Sequence, residues 1–220
     1  MLTKRFPTTL LAGACLGMAG SATASADITL IFERGDSSAM QVAAAGPKVR
    51  IDIAGDEAEG EDPTWMLYDA GTPAFTFVFP EDEAYRHLQG TSLTAMQAMG
   101  GNSGAKAGQL GVRWTDKDTT PAGVDCRWAE LSYGSIKVAA LCLADEDDLD
   151  LDEDEIAAIR AAMSFGNTLG DLSKHGIKGF PVIMKDDEGI TTTLKSISHD
   201  GIAASRFIVP AEYDRLDTGF

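Results

Sequence analysis

From Asp27 onward, apolar and polar residues alternate with period two over most of the chain, the pattern of half-buried strands. Ile28, Leu30 and Phe32 share one face of the first such run, and Val49, Ile51 and Ile53 alternate with Arg50 and Asp52 in the next clear one. Trp65 to Tyr68 and Phe75 to Phe79 are apolar runs joined by the turn-rich Asp69-Ala70-Gly71-Thr72-Pro73, which predicts a hairpin. A turn at Pro80-Glu81-Asp82 then leads to Tyr85, Arg86, His87 and Leu88, and this unit is the most aromatic part of the chain. The final third returns to strand patterns at Pro181 to Lys185, Ile190 to Ile197 and Ser205 to Val209, with turns at Asp187-Glu188-Gly189 and Asp200-Gly201.

Two segments carry helical spacing instead. Leu93, Met96 and Met99 recur before Gly100-Gly101-Asn102, where the helix should stop. Ile156, Ile159 and Met163 form one face of a second helix, supported by Ala157, Ala158, Ala161 and Ala162 and stopped by Gly166. Gly55 to Asp62 and residues 100–108 read as loops. Strands outnumber helices and follow one another through short turns. The fold class expected is therefore mainly β (α+β), an antiparallel sheet with two or so covering helices.

Trp128, Glu130 and Ser132 alternate with Ala129, Leu131 and Tyr133, and Ile136, Val138 and Ala140 continue beyond Gly134-Ser135. With a three-residue loop at Tyr133-Gly134-Ser135, Ser132 faces Ile136, and counting outward sets Cys126 directly opposite Cys142. Opposed strand residues come close enough for a disulfide. Closing so short a loop contributes on the order of 3 kcal/mol. The other reading is two free buried thiols. A redox role has no C-x-x-C and no helix start to support it.

Residues 1–26 read as a secretory signal. Lys4 and Arg5 supply the positive start, Leu10 to Gly20 is short and apolar, and Ala24-Ser25-Ala26 offers a cleavage site before Asp27. Residues 27–220 then form one domain of ordinary size, exported to the periplasm or beyond, where the two remaining cysteines would pair. A rival reading makes Cys15, preceded by Ala12-Gly13-Ala14, the acylated residue of a lipoprotein. No later segment is long and uncharged enough to be a transmembrane helix.

The chain has 220 residues, and its 34 acidic against 18 basic side chains give a net charge of -16. With no basic stretch in the mature part, nucleic acid and anionic membrane surfaces are excluded as partners. The acidity is concentrated in Asp145 to Glu155. Asp148, Asp150 and Asp152 there resemble the start of a calcium loop, but Glu153 stands where glycine is needed and Ile159 where glutamate is needed. Carboxylates just before the second helix also suit its positive end, with no metal involved. His87, His175 and His199 are scattered, with no ligand at metal spacing, and no H-E-x-x-H, G-x-S-x-G, Walker or Rossmann pattern occurs. No catalytic residue and no cofactor is expected.

What remains is apolar. Trp65, Leu67, Phe75, Phe77 and Phe79, with Met96 and Met99, are the candidate ligand-binding set, able to line a cavity between a curved sheet and its helices. The same residues equally suit a filled core.

The order of pieces resembles a family of secreted bacterial proteins of unknown function related to the outer-membrane lipoprotein carrier (Lol-type) fold. The likeness rests on Lys48-Val49-Arg50-Ile51-Asp52, on Trp65 through Phe79-Pro80 to Tyr85, and on the cysteine hairpin. Met163-Ser164-Phe165, Gly179-Phe180-Pro181-Val182 and the closing Phe207-Ile208-Val209-Pro210-Ala211-Glu212-Tyr213 extend it. It implies an antiparallel half-barrel sheet with helices over its concave side, and in the carriers that concavity holds acyl chains of lipoproteins. Two readings follow. One is an exported non-enzymatic protein that binds a lipid-like ligand or a lipidated protein in an apolar cavity. The other is an acidic cell-envelope structural or interaction protein with a filled core, with calcium as a candidate effector.

Overall fold

The period-two runs fold as strands of one sheet. The computed structural model describes residues 27–35, 38–54, 63–94, 110–165, 172 and 176–217. Six strands meander through the first part: β1 (Ile28–Arg34), β2 (Ser38–Ala45), β3 (Lys48–Ile53), β4 (Thr64–Asp69), β5 (Ala74–Phe79) and β6 (Ala84–Gln89). The chain then reappears at the far edge as β7 (Leu110–Thr119). It returns through β8 (Cys126–Tyr133), β9 (Ile136–Ala144), β10 (Phe180–Lys185) and β11 (Thr191–Ser198). The short β12 (Asp214–Arg215) closes the other edge.

The result is one open, curved sheet of twelve strands in the order β12-β6-β5-β4-β3-β2-β1-β11-β10-β9-β8-β7. The two meanders meet where β1 pairs with β11. The sheet is antiparallel as expected, with the single exception among the described pairings of β12 with β6, which is parallel. It is parallel because a long connection, not a hairpin, delivers β12 to that edge.

One helix, α1 (Glu153–Met163), lies across β2, β3 and β4. Asp152 caps it: its carboxylate accepts from Glu155 N at 2.8 Å while Glu155 Oε2 accepts from Asp152 N at 3.3 Å, a reciprocal capping box. Ile156 is buried, and Ala158, Ile159 and Ala162 share one core with Ile28, Leu30, Phe32, Val42, Val49 and Ile51, the inward set of the first three strands. Each large side chain fully buried here contributes roughly 1.5–3 kcal/mol. The expected stop at Gly166 lies outside the described residues; Ser164 takes the C-cap. Of the other expected helix, residues 90–94 are helical, and Met96, Met99 and the glycines after them lie outside the described residues.

β8 and β9 are buried on both faces. Cys126, Cys142 and Ala144 join the core under α1, whereas Ala129, Leu131, Ala139, Leu141 and Leu143 pack with Leu110 and Ile177 in a second core on the opposite face. That double burial explains the nearly unbroken apolar run of β9.

The disulfide forms between Cys126 and Cys142, with Cα atoms 5.4 Å apart. The register differs from the expected one. The loop has two residues, Gly134 and Ser135, so Tyr133 faces Ile136, and a bulge between Leu131 and Ser132 shifts the ladder once more. Cys126 therefore opposes Ala144, and Trp128 opposes Cys142. The cysteines bridge diagonally because the two shifts together move the register by two, which leaves both on the same face. Gly134, at φ +62°, supplies the left-handed residue that the tight turn needs.

The expected strand at Ser205 to Val209 is instead a 3-10 turn, Ala204–Phe207. It belongs to a strap that leaves β11 in mid-sheet and crosses to β6 over the face away from α1. Asp27 Oδ2 accepts from Ile202 N at 2.6 Å near its start. At its end Asp214 N donates to Glu83 O and Leu216 N to Tyr85 O, both at 2.8 Å.

Candidate functional site

The hairpin of β4 and β5 supplies most of the candidate residues, and its register sorts them. Tyr68 faces Phe75, Met66 faces Phe77, Leu67 faces Thr76 and Trp65 faces Val78. Paired residues leave the sheet on the same side. Phe75, Phe77 and, by period two, Phe79 lie on the inner face with α1. Trp65 and Leu67 point to the outer face, opposite Asp52 and Arg50. The seven residues expected to share one cavity are thus divided: three on the inner face, two on the outer, with Met96 and Met99 outside the described residues.

On the inner face the aromatic side chains converge. Phe75 lies 4.7 Å from Tyr68 and 6.4 Å from Phe77, centroid to centroid. Phe165, two residues past the end of α1, closes the group at 4.4 Å from Phe75 and 5.1 Å from Phe77. Such ring contacts, tilted except for the stacked Phe75–Phe77 pair, add to simple burial. Phe75 is buried, while Tyr68, Phe77 and Phe165 are half-buried, and Leu93 packs against the same cluster. Burial pushes the Tyr68 hydroxyl above its ordinary 10.0, and the neighbouring Asp69 adds to the effect. Arg86 faces Phe77 across β5 and β6 and so shares this face.

Phe165 and Arg86 were not among the expected site residues. Phe165 was legible only as part of the Met163-Ser164-Phe165 stretch that ends the helix. Arg86 stands between Tyr85 and His87 with nothing in its spacing to mark it.

The outer face is polar and tied to the strap. The Arg50 guanidinium stacks 3.9 Å from the Trp65 ring centre and donates to Asp52 at 2.5 and 2.8 Å and to Arg206 O at 2.9 Å. Arg206 donates to Asp52 at 2.8 Å and to Gln41 at 3.4 Å. Trp65 is therefore held under a salt-bridged lattice, in a setting unlike that of the phenylalanines.

His87 also faces outward, sharing a 2.9 Å hydrogen bond with Thr76, and His199 is exposed in the strap; His175 lies outside the described residues. Among the described residues neither His87 nor His199 pairs with a carboxylate.

The acidic run does structural work. Asp145 accepts from Glu146 N at 3.0 Å, Glu146 pairs with Arg160, Asp150 takes a left-handed conformation, and Asp152 is spent on the capping box. Among the described residues no group of three or more His, Cys, Asp or Glu side chains is placed to hold a metal ion.

A family profile described as "Domain of unknown function (DUF4412)" matches residues 25–213. The chain belongs to the DUF4412 family. A search of the curated proteins finds no match. Among solved structures, one of PNGF-II in the C2 space group is similar over 87% of this DUF4412 chain and 31% of its own, at 8% identity and a TM-score of 0.48. A structure of MucB is similar over 86% of this chain and 60% of its own, at 10% identity and a TM-score of 0.39. The DUF4412 chain spans about a third of the PNGF-II chain and less than two thirds of the MucB chain. Among the described residues no helix is long and apolar enough to cross a membrane. The disulfide fits an oxidising compartment.

Proposed function

We propose that this DUF4412 protein is an exported, non-enzymatic binding protein that takes a lipid-like ligand, or the acyl part of a lipidated partner, on its inner aromatic face. The observation that carries the reading is the cluster of Tyr68, Phe75, Phe77 and Phe165, which gathers four aromatic rings beside α1 and leaves three of them half-buried. Aromatic rings with part of their surface still in water gain most from a flexible apolar guest. Of the sequence-derived set, Phe75 and Phe77 belong to this cluster and Phe79 shares its face, whereas Trp65 and Leu67 lie on the opposite face of β4, the one the strap crosses. Export rests on the signal-like residues 1–26 and agrees with the disulfide. The resemblance to the lipoprotein carrier fold supports an acyl ligand on the concave side.

The test is native mass spectrometry of the mature protein from an envelope extract, repeated after delipidation. A co-purifying mass that disappears on delipidation is expected and gives the ligand class. An apo mass alone, two hydrogens light for the disulfide, overturns the reading in favour of an interaction protein with a filled core. A lipid mass retained covalently would place the acyl chain on Cys15.

A further inference from the structure

Arg86 lies directly across from Phe77, and its neighbours on the same face of β6, Ala84 and Leu88, are both buried. Its own Nε is sealed from solvent and has no hydrogen-bond partner. Most of the other described arginines on or beside the sheet are engaged. Arg50 and Arg206 hold Asp52, Arg113 holds Glu130, Arg160 holds Glu146 and Arg127 lies over Trp114. Among the described residues Arg86 enters neither an ion pair nor a ring contact. In a chain with almost two carboxylates for every cation, a shortage of acidic residues does not explain this. Desolvating a guanidinium N–H without an acceptor is costly, and the cost is recovered when an anion arrives.

We propose that Arg86 receives the carboxylate of a single-chain amphiphile, a fatty acid in chemical class, whose alkyl chain lies along Phe77, Phe165, Phe75 and Tyr68. The inference rests on the binding reading above and adds the head group to it. A lone guanidinium matches a planar, singly charged head, which its fork of N–H donors can hold in two parallel bonds. The net charge of -16 disfavours more highly charged ligands everywhere else on the protein. A carboxylate beside Arg86 combines a positive group that no carboxylate of the described residues holds with the apolar rings of the same face.

The experiment measures binding of laurate and of dodecanol, the same chain with a neutral head, to the delipidated mature protein. Wild type should bind laurate about ten-fold or more tightly than dodecanol, as a charge-assisted pair requires. Arg86→Leu should abolish that preference by weakening laurate alone, with dodecanol unchanged and the far-ultraviolet circular dichroism intact. Equal affinities for the two ligands in wild type, a comparison that needs no variant, would overturn the role of Arg86 while leaving the apolar face standing. Binding of neither ligand would remove the binding reading itself. Dodecyl phosphate binding more tightly than laurate, again through Arg86, would overturn the carboxylate in favour of a phosphate head.

Discussion

At Gly179 the backbone takes φ +101°, and a Cβ there would lie 2.7 Å from Ala144 O and 3.1 Å from Leu143 Cβ. The turn into β10 therefore needs glycine twice over, for its dihedral and for the close approach of β9. Gly179→Ala should destabilise the protein by about 2 kcal/mol or more in urea unfolding. Gly189, at φ +90° but with only Lys185 Cε at 3.8 Å, isolates the dihedral effect. Its alanine variant should cost about 1 kcal/mol. A second residue-scale consequence lies on the hairpin of β8 and β9. Arg113 first, then Lys137 at 3.2 Å, hydrogen-bond the Glu130 carboxylate and hold its pKa below the ordinary 4.5. Because the folded pKa is the lower one, this contribution is complete above about pH 4.5 and is lost as pH falls through the folded value. Glu130→Gln should thus lower stability slightly at pH 7, by an amount that shrinks as the pH is brought down through the acid range and also in high salt, because the group is part-exposed. Thermal melts of both proteins across the acid range, with and without added salt, check this. Neither effect was legible beforehand. Glycine at 179 and glutamate at 130 are common residues, and only the strands packed beside them give them their roles.

At the scale of elements, alternation was a good guide to where strands lie and a poor one to how they register. The hairpin of β4 and β5 and the helix from Glu153 follow from spacing and turn residues, as expected. β2 went unnoticed because after Val42 both of its faces carry only alanine, and β7 because it is mostly polar and exposed. β7 is an edge strand, where charges such as Arg113, Asp116 and Lys117 discourage pairing with another chain. The cysteine pairing survived an error in register because two one-residue shifts add to one full period. A variant with both cysteines replaced by alanine should lose on the order of 3 kcal/mol, and reduced wild type should behave alike. Denaturant melts with and without reductant decide it, and unchanged stability in both would mean that the bond is not made. Within the candidate site, period two along one strand could separate Trp65 from Met66. Matching β4 to β5 required the register, which assigned Trp65 and Leu67 to the face away from the phenylalanines.

The whole molecule is held as one sheet by its far ends. The strap runs from β11, in the middle of the sheet, to β12 at its edge, and Arg206 fastens it midway to Asp52 and Gln41. Arg206→Ala leaves Asp52 with Arg50 alone and should cost about 1 kcal/mol, since these groups are part-exposed. Its clearer signature is local: faster hydrogen exchange and faster proteolysis between residues 199 and 213, with β1 and β11 unaffected. Equal protection in the variant would show that Phe207, which is buried, anchors the strap by itself.

By itself the sequence determined the class of this protein. Side-chain alternation is a local property that a strand must obey, and turn residues punctuate it, so the β-rich architecture, the second helix with its acidic start and the paired cysteines were all readable. Tertiary structure decided which faces those strands share. Register, bulges and a strap returning from the end of the chain depend on contacts between residues far apart in sequence. Those contacts put Phe165 on Phe75, divided Trp65 from Phe77, and set Arg86 on an apolar face with its Nε unpartnered.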